Sequence, residues 1–272
     1  MKPLAIDLFC GLGGWAEGLL AEGWDVVGID IEEHVYGDHR YPAGLIVQDV
    51  RTVAGAAFSR ADLIVASPPC QEYSYMAMPW TRAKAMAAAI RADETGEELR
   101  KLNELFKECW RIQREASEAK GAHIPLIVEN VKGAIPWVGR SRWNFGSYHL
   151  WGDVPALMPP ILAKPSKNDG GSGRSFQSAS VDGLKGAGPK WDAEKGSGAY
   201  GMKRWTNPSE GYSEGVKNKD ADGYERNHPN AFGWKSPRTT SSNTSARKFA
   251  SAMIAKIPLP LSRHIARTFK PA

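Results

Sequence analysis

The sequence predicts an α/β protein: a Rossmann-like sheet with helices on both faces, plus a small irregular region. Two observations carry that reading. Up to about residue 130, short apolar runs of strand length alternate with helical stretches, and each run leads into a polar or glycine-containing turn. Strands separated by helices imply a parallel sheet covered on both faces. From about 161 to 247 the composition shifts to Gly, Ser, Asn and Lys with scattered aromatics, and neither regular structure nor an internal repeat is legible. The predicted division is therefore 1–160, completed by 248–272, for the main domain, and 161–247 for the smaller region.

The first strand, 4–9, runs into DLFCGLGG at residues 7 to 14, which opens a helix. Glycines 11, 13 and 14 let backbone approach a ligand closely. Nucleotide, flavin and methyl-donor enzymes all use such a turn, and the phosphate-binding lysine motif of an NTPase is absent. The second strand, 25–29, ends at Asp30, where a carboxylate can accept hydrogen bonds from a ribose diol. The third, 45–47, is followed by Asp49, placed to border an adenine. Capping of a local turn is the alternative for either aspartate.

The fourth strand, 63–65, enters ASPPCQEYS, residues 66 to 74. Proline fixes φ and restricts the residue before it, so Pro68 and Pro69 deliver Cys70 in a narrow range of directions. Free cysteines are often small buried hydrophobes, but a thiol held this stiffly suits attack on a target. Leu99, Leu102, Leu105, Phe106, Cys109 and Ile112 then recur at helical spacing, which assigns Cys109 to the core. The fifth strand, 126–128, opens LIVENV and terminates at Glu129. Strand ends share one crevice in such a sheet, so Cys70, Glu129, Asp30 and the glycine turn are expected to converge there. A thiol and a carboxylic acid beside a nucleoside-type cofactor point to covalent activation of a heteroaromatic ring. Residues 249–269 become apolar and helical again around the Pro258-Leu259-Pro260 break, as a tail returning to the core would.

With 272 residues, 42% of them hydrophobic, the chain can bury one sizeable core. The N-terminal stretch lacks a basic segment followed by a long apolar one, and no run reaches membrane-span length, so a cytoplasmic location is expected. Cys10, Cys70 and Cys109 are an odd set without metal-type spacing, which argues against a disulfide framework or a bound metal. The net charge is +5, and residues 161–250 hold 15 Lys/Arg against 9 Asp/Glu, leaving the rest at about −1. A basic excess confined to one segment suits a polyanionic partner, and a solvated loop would look similar.

DLFCGLGG, SPPCQEYS and ENV, in this order, resemble signature motifs of the DNA cytosine carbon-5 methyltransferases of prokaryotic or phage type, and IAKIPLPLSRHIA, residues 254 to 266, is similar to that family's last motif. The resemblance implies an S-adenosylmethionine-dependent methyltransferase fold, Cys70 as the nucleophile toward carbon 6 of cytosine, and Glu129 as the acid at the ring nitrogen and amino group. It implies a base flipped out of double-stranded DNA and a closing loop at 71–80. Phe9, Gly11, Gly13, Gly14 and Pro69 would line the donor pocket. Asp30 would bind ribose, Ile31 would pack on adenine, and Asp49 with Val50 would flank the base edge. Residues 161–247 take the place of a target-recognition region, with lysines for phosphates and with aromatics that stack on bases or fill a small core. A monomer, no membrane association and a cognate restriction endonuclease as a further partner complete the expectation.

Two departures stand out. The family's Gln-x-Arg-x-Arg block is absent; Arg140 and Arg142 of GRSRWNFGSYHLWG, residues 139 to 152, stand in its place, a plain surface pair being the alternative. Where Gly-Asn is common in the last motif, this chain has Ala255-Lys256. An ammonium there could pair with the extra carboxylate of carboxy-S-adenosylmethionine, turning methyl into carboxymethyl transfer. Other readings are a DNA-binding module that has lost turnover, which an intact Cys70 and Glu129 argue against, and an RNA cytosine methyltransferase. RNA enzymes of the common type carry a cysteine where this chain has Glu129-Asn130-Val131.

Overall fold

A computed structural model of the protein describes residues 2–74, 80–156, 248, 249, 252, 253 and 255–271. The recognition region predicted at 161–247, and most of the loop expected after Cys70, lie outside them. The chain divides into two units, Met1–Lys164 with Lys256–Ala272, and Pro165–Ala255. Of the second, only Lys248, Phe249, Ala252, Met253 and Ala255 are described, each helical.

The first unit is built on a seven-stranded sheet. Its strands are β1 (Leu4–Leu8), β2 (Asp25–Asp30), β3 (Gly44–Val47), β4 (Leu63–Ala66), β5 (Leu126–Asn130), β6 (Trp143–Phe145) and β7 (Tyr148–Gly152), in the order β3-β2-β1-β4-β5-β7-β6. The first five run parallel, in agreement with the predicted α/β class, and β7 and β6 complete the edge antiparallel. That final hairpin adds two strands to the five expected from the sequence.

Side chains of a strand alternate between faces, and both faces here are apolar. Ala5, Leu63, Val65 and Ile127 pack on one side with Trp15, Leu19, Leu261 and Ile265. Ile6, Ile64, Leu126 and Val128 pack on the other with Phe106, Cys109 and Ile112. The helices supplying these contacts are α1 (Gly14–Ala21) and α6 (Leu259–Phe269) on the first face and α4 (Glu104–Lys120) on the second. Two further helices, α2 (Trp80–Ala92) and α3 (Glu97–Leu102), lead into α4, and α5 (Ile135–Val138) follows β5.

The C-terminal tail returns to the core as predicted. A Cβ at Gly18 would lie 2.1 Å from the Ser262 Oγ and 2.6 Å from the Arg263 nitrogen, so the bare α1 backbone is what lets α6 pack so closely. Trp24 Nε1 donates to the Ala266 carbonyl at 3.0 Å, and Arg263 and Arg267 both pair with Glu22. The predicted helix through Leu99 and Ile112 is broken at Asn103, which separates α3 from α4. Asn103 sits at the α4 cap position without capping it, because its side chain is engaged elsewhere.

Candidate active site

Strand order reverses between β1 and β4, since β1 leads outward to β2 and β4 to β5. The loops at the carboxyl ends of these two strands therefore part and leave a crevice, the usual ligand position in an open parallel sheet. The glycine turn follows β1 on one side of it, and Ser67 to Cys70 follow β4 on the other. Trp15 Nε1, from α1, donates to Ser67 Oγ at 3.0 Å and ties the two loops together.

The glycine turn is wound tightly. Phe9 has φ 57°, Gly11 49° and Gly13 77°, and a bulky residue with positive φ is held there only by its surroundings. The three glycines serve different neighbours. A Cβ on Gly13 would strike Pro42 at 2.4 Å, and one on Gly14 would strike the backbone nitrogen of Ile257 at 2.3 Å, whereas nothing lies within 4 Å of a Cβ on Gly11. Gly13 and Gly14 thus admit parts of the protein itself, and Gly11 is the one of the three with open space beside it.

Asp30, at the end of β2, faces this turn. One carboxylate oxygen accepts the Gly11 N–H at 2.9 Å and the other accepts the Ile31 N–H at 2.8 Å, with His34 Nε2 at 3.7 Å. Burial alone would push its carboxyl up, but the His34 imidazole nearby and the hydrogen bond from the Gly11 amide outweigh it and hold the group below the usual range. Ile31 beside it leaves 67% of its surface exposed. Asp49 caps the 3-10 turn Val50–Thr52 and binds the Arg51 guanidinium, so its carboxylate is turned toward a local partner. Val50 is buried in the core, and its carbonyl accepts from Arg111 at 2.9 Å.

On the other side of the crevice β4 and β5 are adjacent and in register, Ala66 opposite Val128. Glu129 follows Val128 directly, 2% exposed, and lies inside β5 rather than after it. Cys70 is half-buried, four residues beyond Ala66. Asn130, fully buried, joins the two: its Nδ2 donates to the Pro68 carbonyl at 3.0 Å while its Oδ1 accepts the Val131 N–H at 2.8 Å. Pro69 lies between the clamped Pro68 and the thiol.

The remaining predicted residues have partners or positions of their own. Arg140 and Arg142 are exposed on the chain leading into β6. Lys256 forms an ion pair with Glu17 of α1, and its carbonyl accepts from Tyr148 Oη at 3.2 Å. Among the described residues no group of three or more His, Cys, Asp or Glu side chains could hold a metal ion, and no helix is long and apolar enough to cross a membrane.

Sequence reasoning missed Trp15, Ser67, Tyr73, Asn103 and Asn130 as the residues that fix these loops. Asn103 alone gave a usable signal, a short polar side chain interrupting an apolar helical run.

Residues 4–135 match the family described as C-5 cytosine-specific DNA methylase. Among curated proteins none matches the chain. Solved structures similar to it include a protein assigned as a DNA modification methyltransferase encoded within an E. coli prophage, at 23% identity and TM-score 0.32, with 49% of this chain and 33% of that one covered. The Dnmt2 methyltransferase of S. pombe is similar over 98% of both chains at 12% identity and TM-score 0.41. The chain thus spans about a third of the prophage protein's length, the covered share being 33%. The matched residues 4–135 hold the glycine turn, Cys70 and Glu129, so the match to the C-5 cytosine-specific DNA methylase family falls on the crevice itself.

Proposed function

We propose that the protein methylates carbon 5 of cytosine in double-stranded DNA through a covalent adduct of Cys70, with S-adenosylmethionine as donor. The observation that carries this reading is the Asn130 bridge, which holds the Cys70 loop against the strand bearing Glu129. A protein that only bound DNA would have little use for a thiol-bearing loop tied to the strand that carries a buried carboxyl group.

The residues on the donor side suit a nucleoside. Gly11 offers bare backbone with room beside it, Asp30 is held anionic for a ribose diol, and Ile31 offers an exposed apolar surface for a purine face. S-adenosylmethionine, when bound, supplies a methyl group as an electrophile on a sulfonium sulfur. Phe9 and Pro69 would close the pocket from the two loops, and Asp49 and Val50 would border the base through their backbone, since both side chains are otherwise engaged.

Cytosine carbon 5 is too weak a nucleophile to be alkylated at a useful rate. The Cys70 thiolate adds to carbon 6, forming a carbon–sulfur bond and moving the ring's double-bond electrons toward carbon 5. Glu129, hydrogen-bonded at the ring nitrogen, stabilises the charge that develops there. Carbon 5 would then accept the methyl group that a bound sulfonium donor supplies, the pair of the broken bond staying on the donor sulfur as a neutral thioether. Loss of the carbon-5 proton to a base would re-form the double bond as the thiolate leaves. A base stacked in a duplex presents no open face to a thiol, so the target nucleotide must leave the helix first.

Expression of wild type and Cys70→Ala, followed by digestion of cellular DNA and mass spectrometry of the nucleosides, tests the reading. The expected result is 5-methylcytosine in the first sample and none in the second. The reading falls if purified wild type transfers no labelled methyl group to DNA from several sources, or if Cys70→Ala transfers it equally well.

A further inference from the structure

We infer that Tyr73 and Asn103 are positioning residues for the nucleophile: their buried hydrogen bond anchors the downstream end of the Cys70 turn, as Asn130 anchors its upstream end. This rests on the methyltransferase reading above for its purpose, but its geometry stands apart from that reading.

Residues 70–73 form a turn in which the Tyr73 N–H donates to the Cys70 carbonyl at 3.1 Å. The Tyr73 side chain, 3% exposed, runs inward from that turn. Its hydroxyl lies 2.9 Å from Asn103 Oδ1 and 3.0 Å from the Leu102 carbonyl. Its ring meets Phe106 edge-on, with centroids 6.2 Å apart. Burial pushes the phenol above its usual range, so it stays a neutral donor.

Asn103, 4% exposed, passes the connection on. Its Nδ2 donates to the Trp137 carbonyl at 2.8 Å, in the short helix that follows the Glu129 strand. The thiol is thus bracketed. Two residues before it, Pro68 is held by a side chain of β5; three residues after it, Tyr73 is held through Asn103 by α5. Both brackets end on the segment that carries the acid, so Cys70 and Glu129 keep their relation to each other when a substrate enters between them. Asn103 also accounts for the break between α3 and α4. A leucine there would continue the apolar run and the helix, but would leave the tyrosine hydroxyl with one partner fewer.

The pair is tested in the full-length protein with Tyr73→Phe, which removes one oxygen and keeps the ring on Phe106, and with Asn103→Ala, which attacks the bond from the other side. The first readout is the rate of alkylation of each cysteine by iodoacetamide, resolved by mass spectrometry. Cys10 and Cys109, both buried, serve as internal reporters of the fold. The expected result is Cys70 alkylation faster by roughly threefold or more in both variants, through local loosening of the turn, with Cys10 and Cys109 still protected. An unchanged Cys70 rate in both would overturn the inference, and so would alkylation of all three cysteines in step, which would mark the pair as holding the fold alone.

The second readout is covalent capture, in the presence of S-adenosylmethionine, by a random-sequence duplex in which every cytosine is 5-fluorocytosine. Once carbon 5 is methylated, its fluorine cannot leave as a proton does, so the adduct persists. Capture by Tyr73→Phe should slow by about tenfold to a hundredfold, as expected for a displaced reacting group, with affinity for ordinary DNA unchanged. Equal capture rates would count against the inference. A wild type that forms no adduct would defeat the methyltransferase reading, and the alkylation comparison would still decide the bracket.

Discussion

The two sides of the crevice are held in opposite ways. On the proposed donor side, the groups that face outward rest on partly buried or exposed contacts of shorter range: Gly11 on Asp30, nineteen residues on, and Asp49 on Arg51, with Ile31 67% exposed. On the proposed nucleophile side, the fixing contacts are buried or partly buried and cross longer stretches of sequence: Asn130 to Pro68, Tyr73 to Asn103, Asn103 to Trp137. A cofactor that must enter and leave favours open backbone and a wet rim. A thiol that must meet one ring atom favours a direction set by buried hydrogen bonds, which are costly to break. The division teaches that binding and bond formation place different demands on neighbouring loops of one sheet.

The sharpest way to break that comparison is at the proposed acid. Glu129→Gln keeps the shape and removes the carboxyl group, so kcat should fall on the order of 10²–10⁴-fold, the usual contribution of a positioned acid or base. The KM for the donor should not move. Single-turnover kinetics with separate titration of donor and DNA would show it, and a parallel rise in the donor KM would mean that the two sides are not independent.

Asn130→Ala should come next, because it acts on both direction and stability. It leaves the Val131 amide and the Pro68 carbonyl without their present partner, so unfolding free energy should fall by ~2 kcal/mol in denaturant melts, while kcat falls more than the KM for either substrate. Asp30→Ala should show the converse. A donor KM raised at least about tenfold with kcat nearly kept would fit the loss of a charged hydrogen-bonding group that serves binding alone.

The uneven legibility of the two sides in the sequence has the same origin. Strand positions, the turn DLFCGLGG and the stiff SPPC segment follow from local rules, apolar period, glycine and proline, and the five parallel strands stand where those rules put them. What local rules cannot give is who fills the space beside a residue. Gly13 and Gly14 look equivalent to Gly11 in sequence, yet Pro42 and Ile257, from distant parts of the chain, occupy their near sides. Asn103 and Tyr73 are thirty residues apart, and Tyr73 reads as an ordinary aromatic until the fold brings the pair together. Asp49, expected either to border an adenine or to cap a local turn, does cap a turn, and Arg51, two residues on, binds its carboxylate.

Two carboxylates on adjacent strands offer a smaller test, on stability alone. Asp7, fully buried in β1, is driven well above the usual range by burial, with one oxygen accepting from Tyr41 Oη at 3.2 Å. Asp30 is held below that range. For Asp30 the folded state binds the proton less tightly than the unfolded chain does, so its contribution is present above the unfolded pKa and is lost as pH falls through the folded one. For Asp7 the sign reverses: the folded state holds its proton longer, and stability declines as pH rises past the unfolded value. Asp7→Asn, which still accepts from Tyr41, should therefore gain stability relative to wild type between about pH 4 and 7, and Asp30→Asn should lose it over the same interval. Urea melts across that range would show the two differences diverging; parallel lines would reject the assigned directions.

The smallest effect is expected at Lys256. As a receptor for a carboxylated donor, its ammonium would have to reach toward the transferred group, but it pairs with Glu17 of α1, whose side chain is 42% exposed. Such a pair is screened by water and contributes less than about 1 kcal/mol. Lys256→Gln should accordingly leave the melting temperature and the rate with S-adenosylmethionine within about twofold of wild type. The discriminating measurement is competition between S-adenosylmethionine and carboxy-S-adenosylmethionine, read as the ratio of methylcytosine to carboxymethylcytosine formed. If the pair with Glu17 is Lys256's whole role, that ratio will not change in the variant. A ratio that swings toward methyl transfer when the ammonium is removed would mean that Lys256 leaves Glu17 when a donor binds, and that the donor side is less settled than its local contacts suggest.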